Sequence, residues 1–192
     1  MKDIMIATSN LGKVKEYKQL LEPLGYTVHS LKEIDHVDID ENGQTFAENA
    51  LIKAKSIKNK CDMIVIADDS GLEIDALNKE PGIHSARYLA GHDYDYKNKI
   101  ILERMKDKTD RRARFICAIA LIDDKQHVFE GVMEGTIAYE PAGTNGFGYD
   151  PIFVVPQFNL TSAQLTAQEK NSVSHRGQAT EKLLAYLKEH NL

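Results

Sequence analysis

The sequence predicts a mixed α/β domain, and three observations predict it. Short apolar runs rich in Ile and Val alternate along the chain with stretches of helical periodicity, the order expected of strands joined by packed helices. The runs lead into loops of Gly, Asn, Asp and Ser rather than into further apolar residues. With 192 residues, 42% of them hydrophobic and 28% charged, the chain can bury a sizeable core. No shift of composition marks a linker, so residues 1–192 read as a single domain.

The elements follow in order. Ile4 to Ala7 is a short first strand, and the loop Thr8-Ser9-Asn10-Leu11-Gly12-Lys13 leads to a helix carrying Val14, Tyr17, Leu20 and Leu21, ended by Pro23 and Gly25. Thr27 to Leu31 is a second strand, and the acidic stretch Asp35 to Glu41 with Asn42-Gly43 is a loop. Thr45-Phe46-Ala47-Glu48 has the spacing of a capping box. Phe46, Ala50, Ala54 and Ile57 then form one apolar stripe, with Asn49, Lys53 and Ser56 on a polar face. Ile64 to Ala67 is a buried strand that ends at Asp68-Asp69-Ser70-Gly71, and the alternation of Leu72 to Leu77 suggests an outlying strand. Pro81-Gly82 breaks the chain. Tyr94 to Met105 reads as a helix and Ala113 to Ile122 as a long buried strand. Asp123-Asp124 turns it into a partner from His127 to Met133, which Gly135 to Ala138 continues or neighbours. Gly143 to Pro151 is a glycine-rich loop, Thr161 to Lys170 a polar helix or turn, and Val173 to Glu189 a closing helix.

Composition excludes several roles. A net charge of −5 argues against a nucleic acid polymer or an anionic membrane as partner. Cys61 and Cys117 stand far apart without a Cys-x-x-Cys neighbour, so neither a disulfide framework nor a zinc ribbon is supported. The first apolar run is too short for a signal peptide, and no run is long enough to cross a bilayer, so a cytoplasmic protein is expected.

Adjacent carboxylates at a strand end repel unless a cation lies beside them, and a hard divalent ion such as magnesium is the economical candidate. A solvated turn is the plain alternative. Three loops suit phosphate. Thr8 to Lys13 offers hydroxyl, amide and ammonium groups at a helix N-terminus, though it lacks the glycine spacing and following hydroxyl of a Walker loop. Gly143 to Pro151 combines glycines with Phe147 and Tyr149, aromatics able to stack on a flat ring, but Pro151 stands where a dinucleotide fingerprint needs glycine. Lys170 to Gly177 places Lys170, His175 and Arg176 at the start of the last helix, against its dipole, which hints at a bound anion or carbonyl oxygen.

Six ordered segments closely resemble the Ham1-like family of noncanonical purine nucleoside triphosphate pyrophosphatases, the inosine/xanthosine triphosphatases. They are Ala7 to Lys13, Thr45 to Ala50, Ala67 to Leu72, Pro81 to Tyr88, Gly146 to Pro151, and Glu169-Lys170 with Ser174 to Gly177. The resemblance implies a long bent mixed β-sheet flanked by helices, with two lobes and an active-site cleft between them, usually as a homodimer. It also implies magnesium-dependent hydrolysis of ITP, dITP and XTP to the monophosphate and pyrophosphate, cleansing the nucleotide pool. By position, Thr8, Ser9, Asn10, Leu11, Gly12 and Lys13 would hold the triphosphate. Glu41 and Asp69 would engage the metal, with Asp38 or Asp40 able to share the task of Glu41. Asp69 would accept the proton and Lys53 would be a cationic helper. Ser70, Phe147, Gly148, Tyr149, Asp150, Lys170, His175 and Arg176 would bind substrate.

The chemistry can be stated without the family. Attack of water on the α-phosphorus needs an oriented nucleophile and neutralisation of charge on the leaving pyrophosphate, which magnesium with Lys13 or Lys53 can supply. Asp68 beside Asp69 leaves open which of the two takes the proton. Donors from Lys170, His175 and Arg176 would favour a purine 6-oxygen over the amino group of adenine. Three other readings compete. A Maf-like pyrophosphatase would act on other nucleotides. A nucleotide sensor would bind without turnover, and Asp69-Ser70-Gly71 also resembles an aspartic protease loop, present here in one copy.

Overall fold

A computed structural model describes residues 2–8, 10–33 and 39–192. Ser9 and Asp38, both named above as candidates, lie outside them. The described chain gathers into two compact units, each discontinuous in sequence: 1–69 with 118–130 and 179–192, and 70–117 with 131–178. Among the described residues one mixed sheet has the strand order β2-β1-β3-β4-β5-β6-β7. No helix among them is long and apolar enough to cross a membrane.

In the first unit, β1 (Lys2–Ile6) leads to α1 (Leu11–Leu21), whose Val14, Tyr17 and Leu21 recur at helical spacing and are buried. Asn10 caps it by accepting from the backbone N–H groups of Gly12 and Lys13 at 2.9 and 3.3 Å. β2 (Tyr26–Ser30) runs parallel to β1. Then α2 (Phe46–Lys58) starts at Thr45, which accepts from the N–H of Glu48, while the Glu48 carboxylate accepts from the N–H of Gln44 at 2.6 Å. The expected capping box is thus present with its return bond displaced by one residue.

β3 (Ile64–Ile74) corrects the sequence reading. It does not end at Asp68 but runs unbroken for 11 residues through both acids, and what looked like an outlying strand at Leu72 is its second half. Asp75 to Leu77 form a single tight turn rather than strand. Flanking burial sustains the strand through its polar middle, since Ala67, Leu72 and Ile74 are all buried. β1 pairs in parallel with β3, Ile6 opposite Ile66. β1 therefore lies between β2, which follows it, and β3, which follows β2. Right-handed crossovers then put α1 and α2 on opposite faces, and the carboxyl end of β1, beside the stretch of β3 that follows Ile66, forms a topological switch point, where open α/β sheets bind ligands.

The second unit contains α3 (Tyr94–Arg104), capped by Asp93, and much of β4 (Arg112–Ile122) and β5 (Gln126–Ile137); in β5 the segment from Gly135 continues the strand that starts near His127, one of the two arrangements expected. Two short strands, β6 (Phe153–Val155) and β7 (Leu160–Thr161), extend the antiparallel end and were not foreseen. Its core joins Leu72, Ile101, Met133, Phe153 and Leu165. The closing helix expected from Val173 is α5 (His175–Glu189), which begins two residues later, after extended Ser174, and the polar helix or turn expected over Thr161 to Lys170 is in part a separate helix, α4 (Ala167–Val173), with a full Thr166/Glu169 capping box. Lys170 consequently sits in the last turn of α4, where the dipole favours a cation. The conflict anticipated for Lys170 does not arise.

Candidate active site

The first unit assembles its candidate residues at the switch point. After β1 the N–H of Asn10 donates to the Thr8 hydroxyl at 3.2 Å, and Gly12 and Lys13 lie in the first turn of α1; Leu11 there is exposed. Successive side chains of a strand point to opposite faces, so the neighbouring acids of β3 do not confront each other as expected. Asp68 meets Lys13 of α1, which donates to its Oδ2 at 2.6 Å, and its side chain is only 1% exposed. Asp69 meets Lys53 of α2, which donates to its Oδ1 at 3.0 Å. The same ammonium lies 3.5 Å from Glu41, so Lys53 draws two carboxylates together. Each acid has its own lysine. Repulsion between the acids is relieved by separation and pairing, without requiring an ion between them.

Burial pushes the Asp69 carboxyl above its ordinary range, opposed by the Lys53 charge and hydrogen bond and by the Asn49 amide, and reinforced by the nearby charge of Glu41. Asn49 is a residue the sequence reading placed on a polar face and left unused. It is buried, and its Oδ1 accepts from the N–H of Gly43 at 2.9 Å, fastening the end of the Glu41 loop to α2. An amide one position from an apolar stripe was the available signal.

The second unit holds the other candidates. Asp150 is buried, and its Oδ2 accepts from Lys170 at 2.5 Å and from the N–H of Phe147 at 2.8 Å. That oxygen staples the glycine-rich loop, and Gly146 (φ 77°) leaves room for it: a Cβ there would lie 2.2 Å away. Phe147 is 68% exposed with the Lys170 ammonium 5.5 Å from its ring centre, a free aromatic face in an electropositive setting. Tyr149 differs from expectation. Its ring is 4% exposed, packs edge-on against Tyr94 and donates its hydroxyl to the Ser85 carbonyl at 2.7 Å, so it anchors the loop instead of stacking on a ligand. Arg176 donates to the Ser70 hydroxyl at 3.4 Å, and the His175 ring lies stacked on Phe115 with centroids 5.0 Å apart. Ser70 follows Asp69 directly along β3.

By fold and site the protein is one of the α/β proteins that gather charged side chains at a switch point. Comparison with known proteins narrows that class, since the model of the Ham1 family matches residues 4–186. The chain belongs to the Ham1 family. It is 50% identical over 193 residues to the dITP/XTP pyrophosphatase of Bacillus licheniformis, covering 97% of this chain and 98% of that one. With the Bacillus subtilis protein of the same name it shares 49% over 189 residues, 95% and 96% of the two chains. The Ham1 protein structure from Coxiella burnetii matches with a TM-score of 0.94 at 44% identity, over 98% of this chain and 100% of that one. That of Staphylococcus aureus gives 0.93 at 42%, with the same coverage.

Proposed function

We propose that this chain hydrolyses the noncanonical purine nucleoside triphosphates ITP, dITP and XTP to the nucleoside monophosphate and pyrophosphate. The observation that carries the reading is Lys53 holding Glu41 and Asp69 together at the switch point, beside a capped helix N-terminus suited to phosphate. The names of relatives near 50% identity agree with it. In this reading Asn10 to Lys13 receive the triphosphate with Thr8 and Ser9. Asp69 orients water and accepts its proton, and its raised pKa suits it to hold that proton. Lys53 offsets negative charge, and Asp68 keeps Lys13 in place. Ser70, Phe147, Gly148, Lys170, His175 and Arg176 serve the purine, with Tyr149 and Asp150 holding the loop that presents them. The whole chain, 1–192, acts as one functional domain.

Magnesium fits the donors present. Among the described residues no group of three or more His, Cys, Asp or Glu side chains could form a cage. Two carboxylates, Glu41 and Asp69, are what magnesium takes when substrate phosphates complete its shell. Bound there, it would supply charge neutralisation on the phosphates. We further take the enzyme to work as a cytoplasmic homodimer on free nucleotides, since net charge disfavours a nucleic acid polymer or an anionic membrane as partner.

A panel of nucleoside triphosphates with product identification tests this reading. ITP, dITP or XTP should be cleaved to monophosphate and pyrophosphate, with turnover lost on chelation and restored by magnesium. In ¹⁸O-labelled water the heavy oxygen should appear in the monophosphate; label in pyrophosphate, or release of orthophosphate, would place the attack elsewhere. Lys13→Ala should weaken ITP binding more than inosine monophosphate binding, because Lys13 serves the distal phosphates. Equal losses in titration calorimetry would remove that role.

A further inference from the structure

The loop that carries Phe147 is gripped from outside by α3. Gly148 (φ 70°) lies over the Tyr94 ring, where an added Cβ would be 3.6 Å from its nearest atom. One turn further along the helix, the Asn98 amide donates to the Gly148 carbonyl at 3.0 Å. Asn98 is an unusual residue for that position. Asn is a poor helix former, this one is buried, and its Oδ1 has no hydrogen-bond partner among the described residues. A side chain serving only to fill the core would avoid that desolvation penalty by being apolar. Leaving one buried acceptor open is understandable if the donor at the other end of the amide is what the position requires.

We propose that Asn98 is a positioning residue for substrate: by holding the Gly148 carbonyl it sets the height and tilt of Phe147 and thereby the affinity for the ring of the nucleotide. Two fixed points then bracket the exposed aromatic. Asp150 holds the Phe147 N–H on one side and Asn98 holds the Gly148 carbonyl on the other. Lys97, the neighbouring residue, serves a different segment, donating to the Ala86 carbonyl at 3.2 Å, and Tyr94 meets the loop by ring packing, so the hydrogen bond to Gly148 comes from Asn98. Asn98 also lines a groove of about 550 Å³ with Lys99, Leu102, Arg111 and Tyr139. The consequence for kinetics is specific. Loss of the contact loosens a binding element without touching the switch-point acids, so it raises KM and leaves kcat largely unchanged.

The inference rests on the function proposed above for its kinetic readout, and amide hydrogen exchange tests it independently of any activity. The informative variant is the near-isosteric Asn98→Asp. A buried carboxyl beside a carbonyl oxygen can donate only when protonated, and as a carboxylate it sets two acceptors face to face. Other charged groups border the groove, namely Asp95, Lys99, Glu103, Lys106 and Arg111, and Asp150 and Lys170 lie on the loop side, so every value is taken relative to wild type at the same pH. Near pH 8, KM for ITP should rise roughly tenfold with kcat within about twofold, and the ratio should shrink toward one near pH 5.5. Exchange at the Phe147 and Asp150 amides should be faster than wild type at the higher pH and similar at the lower. Asn98→Ala should show the same rise in KM and in exchange at every pH. Unchanged exchange in folded Asn98→Ala, or an Asn98→Asp defect independent of pH, would overturn the proposal. If the wild-type protein turns over none of the triphosphates, the proposed function fails while exchange still decides on Asn98.

Discussion

Asp69→Asn should lower turnover roughly 10²–10⁴-fold while leaving the protein folded, the range expected on losing a positioned base. Asparagine keeps the shape of the side chain and its ability to accept from Lys53, yet cannot take a proton. The separation of activity from stability follows from the direction of the pKa shift. Burial raises the Asp69 carboxyl above 3.8, so in the pH window just above that value the folded chain binds more protons than the unfolded one. This group's favourable contribution to stability is therefore complete below the unfolded value and lost as pH rises through the folded one. At neutral pH the substitution relieves a penalty, and Lys53 retains Glu41 at 3.5 Å. The melting midpoint should be equal to wild type or higher. In the wild type, the acid limb of the rate profile should lie above the range of an exposed aspartate. Near-normal turnover in folded Asp69→Asn would remove Asp69 from the chemistry.

Lys13→Ala should be the more damaging substitution to the fold. Its ammonium lies 2.6 Å from a carboxylate whose side chain is 1% exposed. Removing one partner of a buried pair costs about 3–5 kcal/mol, and because Lys13 itself is 20% exposed the lower end applies, about 3 kcal/mol. Adding Asp68→Asn should recover most of that stability and none of the triphosphate binding. Denaturant unfolding of the two single variants and the double variant measures the coupling. Additive losses would mean that the pair is not the unit described.

Much of this was legible in the sequence because the signals were local. Val14, Tyr17 and Leu21 announced α1 by spacing, and Thr45 marked the start of α2 by chemistry. Lys53 and Asp69 were both named, but their meeting depends on a crossover that brings α2 against β3. β3 was cut short because Asp68, Asp69, Ser70 and Gly71 together look like a turn, and only pairing with neighbouring strands overrides that preference. β6 and β7 are too short to show a period. Tyr149 was misplaced because an aromatic beside glycines reads alike whether it faces ligand or core. Asn49 was placed on a polar face but given no role, and Asn98 was not singled out, for a related reason: an amide within a helix gives no sign of which distant backbone atom it reaches.

The alternation along β3 makes the site indifferent to many changes of letter but not to changes of count. Ile66 is held opposite Ile6 by pairing with β1, and Asp68 and Asp69 follow two and three residues later. One residue gained or lost in that interval would turn both carboxylates over, so that one lysine would meet the acid that belongs to the other and the second lysine would face no acid at all. A conservative exchange at Ala67 leaves that parity untouched. Descendants of this chain should therefore vary freely in the length of their surface turns while the interval from Ile66 to Asp69 stays constant. A single-residue insertion there should be as inactivating as loss of the acids themselves.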